Sequence, residues 1–309
     1  KDVVDIYYAK LEGQPLPKPV RDYEPLLKKE LEYPKSPAHE RAAEFWNEEL
    51  NREEPIFIHP SSPAYHDNYR KKKGNENVRF APTFFLFAKG RHEMLYISAE
   101  DVKKMTEFIT LQKLPSLQVL YQMGLRMHLA KVNGNQADVS FYNVVARRGT
   151  LEEKMTGGTR VHFFIDRTFM PEGTTFREGL DLLLEKQNGL YRHADFSPFE
   201  MWGIESKYVP AKRGMGYRTV SLTFQPIPML LGHGLTAKIS WHSNGGAAQP
   251  LYITVMDGDG EGSLKCYYEH NVSQVSQEDV IRLHRNIVRV ILAGIENPGM
   301  TVGEIFELL

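Results

Sequence analysis

The residues best suited to chemistry lie within residues 142–200, where Arg, His and Asp side chains are dense. The first of two signatures in this stretch has a Gly-Gly pair ending at Gly158, followed by Arg160 and His162. Glycine gives the backbone the freedom that entry into a strand often needs, so we expect a strand over residues 160–164. Side chains alternate along a strand with period two, which would place Arg160 and His162 on one face.

The second signature is the polar loop over residues 191–200, which contains His193 and Asp195. Charged groups that converge on a cleft can bind a ligand or move a proton, but the same residue types also form salt-bridged strand edges. Residue types alone leave both interpretations open. For Asp195, Arg148 and Arg167 a structural ion pair is the favoured interpretation. For His193, ordering of the loop and contact with a substrate are equally favoured.

Composition and charge exclude several classes of protein. The chain has 309 residues, of which 41% are hydrophobic, enough for one large or two medium domains. A formal net charge of −1 gives no support to an electrostatic nucleic-acid binder or a membrane-surface protein. The single cysteine, Cys266, excludes an internal disulfide framework and a cysteine-based zinc site. With neither a signal peptide nor a long apolar span in the sequence, we expect a cytoplasmic protein.

Hydrophobic patterning predicts strands that alternate with helices, which is typical of an α/β fold: a two-layer sandwich of a mixed sheet with helices. Strands are predicted over residues 80–87, 94–97, 138–146, 217–224, 235–241, 251–256 and 264–269. A helix after Pro115 is predicted to have one apolar face, and later helices to begin at the capping residues Ser276 and Thr301. Residues 51–77 are predicted to form a long surface loop.

No sequence pattern indicates a metal site. The acidic turn that begins at Asp257 resembles the first half of a calcium-binding loop, but the twelfth position is Tyr268, where a bidentate Glu is needed. We therefore predict a hairpin turn there.

The first signature resembles the fifth core motif of the condensation domains of nonribosomal peptide synthetases. In that motif a Gly precedes Phe-Val-Asn-Thr, and an Arg lies nine residues after the Gly. Gly158 and Arg167 have this spacing, Val161 matches, and His162 stands where the family usually has Asn. Imidazole keeps a donor, but it titrates near neutral pH, unlike an amide.

The second signature resembles the family's sixth motif, His-Gln-Asp-x-Pro-Phe-Glu. The matching residues are His193, Asp195, Pro198, Phe199 and Glu200, with one additional residue before the proline. The order and the separation of the two motifs also agree with the family.

The resemblance covers essentially the whole chain and implies its organisation. Residues 1–34 are similar to the tail of the family's amino-terminal lobe and its connector, and residues 35–309 are similar to the carboxy-terminal lobe. The family fold is similar to that of chloramphenicol acetyltransferase, with two α/β lobes in a V and a substrate tunnel between them. The missing amino-terminal lobe is thus an expected partner.

The resemblance also implies an activity, known from antibiotic and siderophore biosynthesis. A complete domain joins a donor acyl or peptidyl thioester to an acceptor aminoacyl thioester, both held on the phosphopantetheine of carrier domains. An adenylation domain adjoins it, and neither a metal nor an intrinsically bound cofactor is needed. The catalytic signature, His-His-x-x-x-Asp-Gly, is absent, since no two histidines are adjacent in this chain. We expect no catalytic residue here and no activity of the chain alone.

The expected substrate-binding residues are Arg160, His162 and His193, and the expected structural residues are Gly158, Arg167, Asp195, Pro198 and Phe199. If their strand face lines the tunnel, Arg160 and His162 should be partly accessible to solvent. Arg160→Ala should then lower turnover with little effect on the thermal midpoint. Two alternatives remain open: a non-catalytic lobe that docks carrier or adenylation domains, and an acyltransferase of the same superfamily that uses coenzyme A.

Overall fold

The computed structural model describes residues 2–51, 57–61, 71, 74, 81–82, 88–208, 215–216, 218–228 and 230–309. The main strands are β1 (Gly90–Ile97), β2 (Asp138–Val145), β3 (His162–Phe169), β4 (Val220–Gln225), β5 (Leu251–Asp257) and β6 (Leu264–Asn271). They form one mixed sheet in the order β1-β6-β5-β4-β2-β3. Strand β4 is parallel to both of its neighbours, and the other pairs are antiparallel.

The helices are α1 (Asp2–Leu11), α2 (Glu24–Glu32), α3 (Pro37–Leu50), α4 (Ala99–Leu111), α5 (Gln118–Val132), α6 (Leu151–Met155), α7 (Phe176–Arg192), α8 (Pro198–Tyr208), α9 (Gln277–Glu296) and α10 (Val302–Leu308). Four of them begin with a capping box, in which a Ser or Thr and an acidic residue satisfy each other's backbone N–H groups: α6, α7, α9 and α10. None of the helices in the described part of the chain is long and apolar enough to cross a membrane.

Helix α5 lies at the centre of the core. All of its residues from Val119 to Ala130 are buried, because α5 contacts β2 as well as α7, α9 and α10. The prediction of a single apolar face for this helix is therefore wrong. Helix α9 approaches so closely that a Cβ at Gly124 would lie 2.8 Å from the carbonyl oxygen of Ile287.

A second apolar cluster, beside the edge strand β3, positions the loop between α7 and α8. Trp46 on α3 stacks on Phe164 with ring centroids 5.8 Å apart. Its indole Nε1 donates a hydrogen bond of 3.3 Å to the carbonyl of His193. Phe196 is buried in the same cluster. The loop that carries Asp195 is thus held against α3 from both sides.

Most of the predicted elements are confirmed. Residues 94–97 belong to β1, residues 138–146 and 217–224 correspond to β2 and β4 within a few residues, and the acidic turn joins β5 and β6 as a hairpin. Most of residues 51–77 and of 80–87 lie outside the described residues.

The strand predicted over residues 235–241 is wrong. This segment belongs to an excursion between β4 and β5 and is not paired in the sheet. The ammonium group of Lys265 donates to the carbonyl of Ile239 at 3.0 Å, so a side chain holds the segment in place of a β-ladder. Earlier in the excursion, His233 stacks on Tyr8 of α1 with ring centroids 4.1 Å apart.

Candidate functional site

A cavity of about 310 Å³ lies between α2, the loop after β2, the start of β3 and the loop between α7 and α8. It contains four residues that the sequence singles out: Arg160, His162, Asp195 and Glu200. We call it the arginine pocket, defined by Glu30, Arg147, Glu153, Arg160, His162 and Asp195.

The loop that enters β3 is shaped by Gly158 and Arg148. Gly158 has φ +88°, and a Cβ at this position would lie 2.9 Å from the ring of Tyr23. Only glycine meets both demands without strain. Arg148 donates to the backbone carbonyls of Thr156 at 2.7 Å, Glu153 and Gly158. It has no carboxylate partner among the described residues, so the prediction of an ion pair is wrong for Arg148.

Arg160 is buried, with 5% of its surface exposed. Its guanidinium contacts Glu30 at 3.0 Å, Glu153 at 2.5 Å and Asp195 at 3.3 Å. A buried guanidinium is tolerated when carboxylates compensate for its lost hydration. The expectation that Arg160 is accessible is therefore wrong. It also precedes β3, which begins at His162, so the strand starts two residues later than predicted, although both side chains line the same cavity.

Arg147 completes the buried network. It donates to Glu30 at 2.7 Å, to the carbonyl of Arg160 at 3.0 Å and to Nδ1 of His162 at 3.2 Å. Its backbone has φ 52°, a left-handed conformation that turns the chain back toward the pocket. Glu30 thus bridges two guanidinium groups and joins α2 to the loop after β2.

The protonation states in the pocket follow from burial and these contacts. Burial opposes ionisation of Glu153, but hydrogen bonds from Thr150 and Arg160 outweigh it and lower its pKa to about 2. Burial, followed by the charge of Arg147, lowers the pKa of His162 to about 4. His162 is therefore neutral at pH 7. Because its Nδ1 accepts from Arg147, the ring proton lies on Nε2, which leaves one donor for a ligand.

The rim of the pocket is acidic. The Asp195 side chain is 56% exposed and the Glu200 side chain is 46% exposed. Glu200 accepts a hydrogen bond of 2.9 Å from His39. Burial, together with Asp195 and Glu200, raises the pKa of Tyr33 to about 12, so this phenol stays protonated.

His193 lies outside the arginine pocket. Its ring stacks on Phe45 at 4.3 Å, and its backbone ends α7 as the capping residue. Burial, followed by Arg192, lowers the pKa of this imidazole. These contacts give His193 a role in ordering the loop, whereas its contact with a substrate stays a prediction.

The remaining motif residues have local roles. Arg167 pairs with Asp138 across β2 and β3, with Nε 2.8 Å from the carboxylate, so the ion-pair prediction is confirmed for Arg167. Pro198 is the buried first residue of α8. Phe199 is 77% exposed and touches Trp202 edge to face at 5.4 Å.

Sequence reasoning missed three of the six residues that define the pocket: Glu30, Arg147 and Glu153. Glu30 lies on α2, far along the chain from the signatures, and no local pattern marks it. Arg147 is half of an Arg-Arg pair, and the sequence does not show which arginine turns inward. The left-handed backbone at Arg147 decides this. The described residues contain no group of three His, Cys, Asp or Glu side chains arranged to hold a metal ion.

The architecture matches that of solved condensation domains. The first condensation domain of the calcium-dependent antibiotic synthetase, solved with a substrate analogue, has a TM-score of 0.72 at 19% identity. The match covers 98% of this chain and 61% of that chain. VibH, a condensation enzyme of nonribosomal peptide synthesis, has a TM-score of 0.73 at 10% identity over 97% of this chain and 67% of that one.

A condensation domain from another kind of synthase gives the same result. The domain from the Monacolin K polyketide synthase MokA has a TM-score of 0.73 at 12% identity, over 97% of this chain and 67% of that chain. No protein-family model and no curated protein matches the sequence. The chain thus has the fold of condensation domains, which confirms the predicted α/β, chloramphenicol acetyltransferase-like lobe. It spans 61% of the length of the antibiotic-synthetase domain.

Proposed function

We propose that this chain is the carboxy-terminal part of a condensation domain of a nonribosomal peptide synthetase. In the complete domain, the amine of a carrier-bound aminoacyl thioester attacks the carbonyl of a carrier-bound acyl or peptidyl thioester. The amide bond forms, the donor carbon–sulfur bond breaks, and the donor thiol leaves with a proton. The observation that carries the proposal is the match of 98% of this chain to 61% of a condensation domain.

In this proposal the chain contributes positioning groups, and the proton-transfer groups lie outside these 309 residues. The adjacent histidines of the family's catalytic motif are absent from the sequence. The arginine pocket holds residues 1–34 against the rest of the chain through Glu30, which contacts Arg147 and Arg160. His162 presents a neutral N–H donor, as the family's Asn would.

The apolar surface of α1 supports a missing lobe. No residue of α1 is buried. Val3, Tyr7 and Leu11 are 80%, 60% and 66% exposed, and they follow one another at helical spacing. Apolar faces of this kind mark interaction surfaces, and in the proposal the amino-terminal lobe covers this one. Carrier and adenylation domains are the further partners, and a cytoplasmic location is part of the same proposal.

The test is an amide-formation assay with carrier-bound donor and acceptor thioesters. The chain alone should give no product above the uncatalysed rate, because positioned acid–base groups typically contribute on the order of 10²–10⁴-fold. Addition in trans of an amino-terminal lobe with the adjacent-histidine motif should restore product. Turnover by the chain alone that is lost in His162→Ala would show instead that the chemistry lies in this chain.

A second candidate is an acyltransferase that takes its donor from coenzyme A. The starter condensation domain of rhizomide synthetase, solved with C8-CoA, has a TM-score of 0.69 at 14% identity and matches 97% of this chain. The same reconstituted assay separates the two candidates when an acyl-coenzyme A replaces the acyl carrier. If only the carrier-bound acyl donor gives product, the first candidate is favoured. If only the acyl-coenzyme A donor gives product, the second candidate is favoured.

A further inference from the structure

A second cavity, of about 430 Å³, lies on the sheet face that points away from the main core. Its floor is one lateral row across four strands: Tyr142 pairs in register with Ser221, Ser221 with Tyr252, and Tyr252 with Glu269. Side chains directly opposite each other on paired strands project to the same face. A single row thus places two phenol rings and one carboxylate on the same face of the sheet.

The walls of this cavity are aromatic. Phe163 lies edge to face with Tyr142, with ring centroids 6.3 Å apart at 82°. Trp202 on α8 also lines the cavity and is 39% exposed. The opposite wall is the small-residue segment 246–248, whose short side chains leave room above the row. We call this site the aromatic cavity, defined by Tyr142, Phe163, Trp202, Tyr252 and Glu269.

Glu269 is the charged group of the aromatic cavity. It is half-buried, and its Oε1 accepts a hydrogen bond of 2.9 Å from Ser243. Within the described ranges no Lys, Arg or His forms an ion pair with it. Arg218, which lies over the ring of Tyr142 at 5.6 Å, is paired with Glu205 at 2.7 Å. The hydroxyl of Tyr252 is engaged with Thr223 at 2.7 Å.

We propose that the aromatic cavity binds a small organic ammonium ion that carries an apolar substituent. The ammonium group would pair with the Glu269 carboxylate and lie against the ring of Tyr252, which is directly opposite Glu269 on the paired strand, because aromatic rings attract cations. Arg218 already lies over the ring of Tyr142. The apolar substituent would lie between Phe163 and Trp202. An anionic ligand would be repelled by Glu269. This inference does not depend on the condensation activity, since it rests on the cavity alone.

The test compares phenethylammonium with its neutral counterpart 2-phenylethanol by isothermal titration calorimetry on the full chain. Because the ammonium ion gains a charge pair with Glu269 and a cation–π contact that the alcohol lacks, we expect it to bind at least about tenfold more tightly. Glu269→Gln keeps the shape and the Ser243 hydrogen bond but removes the charge, so it should weaken binding of the ammonium ion about tenfold. Glu261→Gln, in the exposed β5–β6 turn, should bind as the native chain does.

Phe163→Leu is a second variant, which tests the aromatic wall of the cavity. The thermal midpoints of Phe163→Leu and of Glu269→Gln show whether each variant is folded. Phe163→Leu should weaken the binding of phenethylammonium, whereas the control Glu261→Gln should leave it unchanged. Equal affinity of the native chain for both probes, no binding of phenethylammonium at millimolar concentration, or native affinity in Glu269→Gln would each overturn the proposal.

Discussion

At the scale of single residues, Arg160 shows how burial changes the meaning of a charged side chain. From the sequence it is a candidate donor to a ligand at the wall of a tunnel. In the structure its side chain is 4% exposed and is surrounded by Glu30, Glu153 and Asp195. Its main consequence is therefore for stability, because it neutralises carboxylates that would otherwise repel one another.

We expect Arg160→Ala to destabilise the chain by about 2 kcal/mol, since it removes a buried guanidinium whose hydrogen bonds reach the partly buried carboxylates of Glu30 and Glu153. The measurement is urea unfolding. Arg177→Ala is the matched control, because Arg177 forms a surface ion pair with Asp181 and should change stability by less than about 1 kcal/mol. An unchanged unfolding midpoint in Arg160→Ala would restore the sequence-based expectation that this residue serves only turnover.

At the scale of elements, α2 is positioned by a contact with a loop remote in sequence. The ring of Tyr23, just before α2, occupies the space where Gly158 lacks a side chain. This contact sets where Glu30 meets Arg147 and Arg160. Gly158 therefore determines the position of a helix as well as the entry into β3.

Gly158→Ala should destabilise the chain by about 1–3 kcal/mol, because alanine is strained at φ +88° and its Cβ would displace Tyr23. Amide hydrogen exchange in α2 should become faster. Gly157→Ala is the control: no atom of the described residues lies within 4 Å of the point that its Cβ would occupy, so it should change stability by no more than about 0.5 kcal/mol. Equal exchange in the two variants would mean that Tyr23 does not hold α2.

The elements that sequence patterns predict well are those with local signals. The capping boxes at Ser276 and Thr301 and the Gly-rich hairpin turn are each encoded within a few residues, and all are found. The prediction for helix α5 fails because its burial depends on three helices remote in sequence, α7, α9 and α10, as well as on β2. The prediction for Arg160 fails for the same reason, since Glu30 lies on α2. Sequence patterns identify where the site lies but not which charges are paired.

At the scale of the whole molecule, the ion pairs bind residues 1–34 to the larger part of the chain. Glu30 contacts Arg147 and Arg160, and Lys29 contacts Glu152 at 2.6 Å. The predicted boundary between residues 34 and 35 stays a prediction. The arginine pocket contains residues from both sides of this boundary.

The stability of the whole chain should depend on pH through Asp166, which lies in the core on β3. Burial raises the pKa of this carboxyl from 3.8 to about 7. Gln122 donates to Oδ2 at 3.3 Å, and Oδ1 has no partner among the described residues. The folded state thus keeps a proton that the unfolded chain loses near pH 4, so stability falls as the pH rises from about 4 to about 7.

An asparagine at position 166 cannot ionise, so in Asp166→Asn the free energy of unfolding should decrease less as the pH rises. At pH 8 this variant should be more stable than the native chain by about 1–3 kcal/mol. The measurement is the free energy of unfolding in urea between pH 5 and pH 8. Asp181→Asn changes an exposed carboxylate in the same way and should keep the native profile. Parallel curves for Asp166→Asn and the native chain would show that Asp166 is not the source.

The pairing of β1 has a consequence for the order of folding. Strand β1 lies at an edge of the six-stranded sheet, and its partner there is β6, with Gly90 opposite Asn271. During synthesis β1 emerges from the ribosome long before β6 exists, and non-local pairing of this kind is slow. Until then its backbone groups and those of the unfinished sheet are unpaired, as at an edge strand open to other chains. A nascent chain that stops before residue 264 therefore leaves β1 without its partner strand and exposes edges with which other chains can pair.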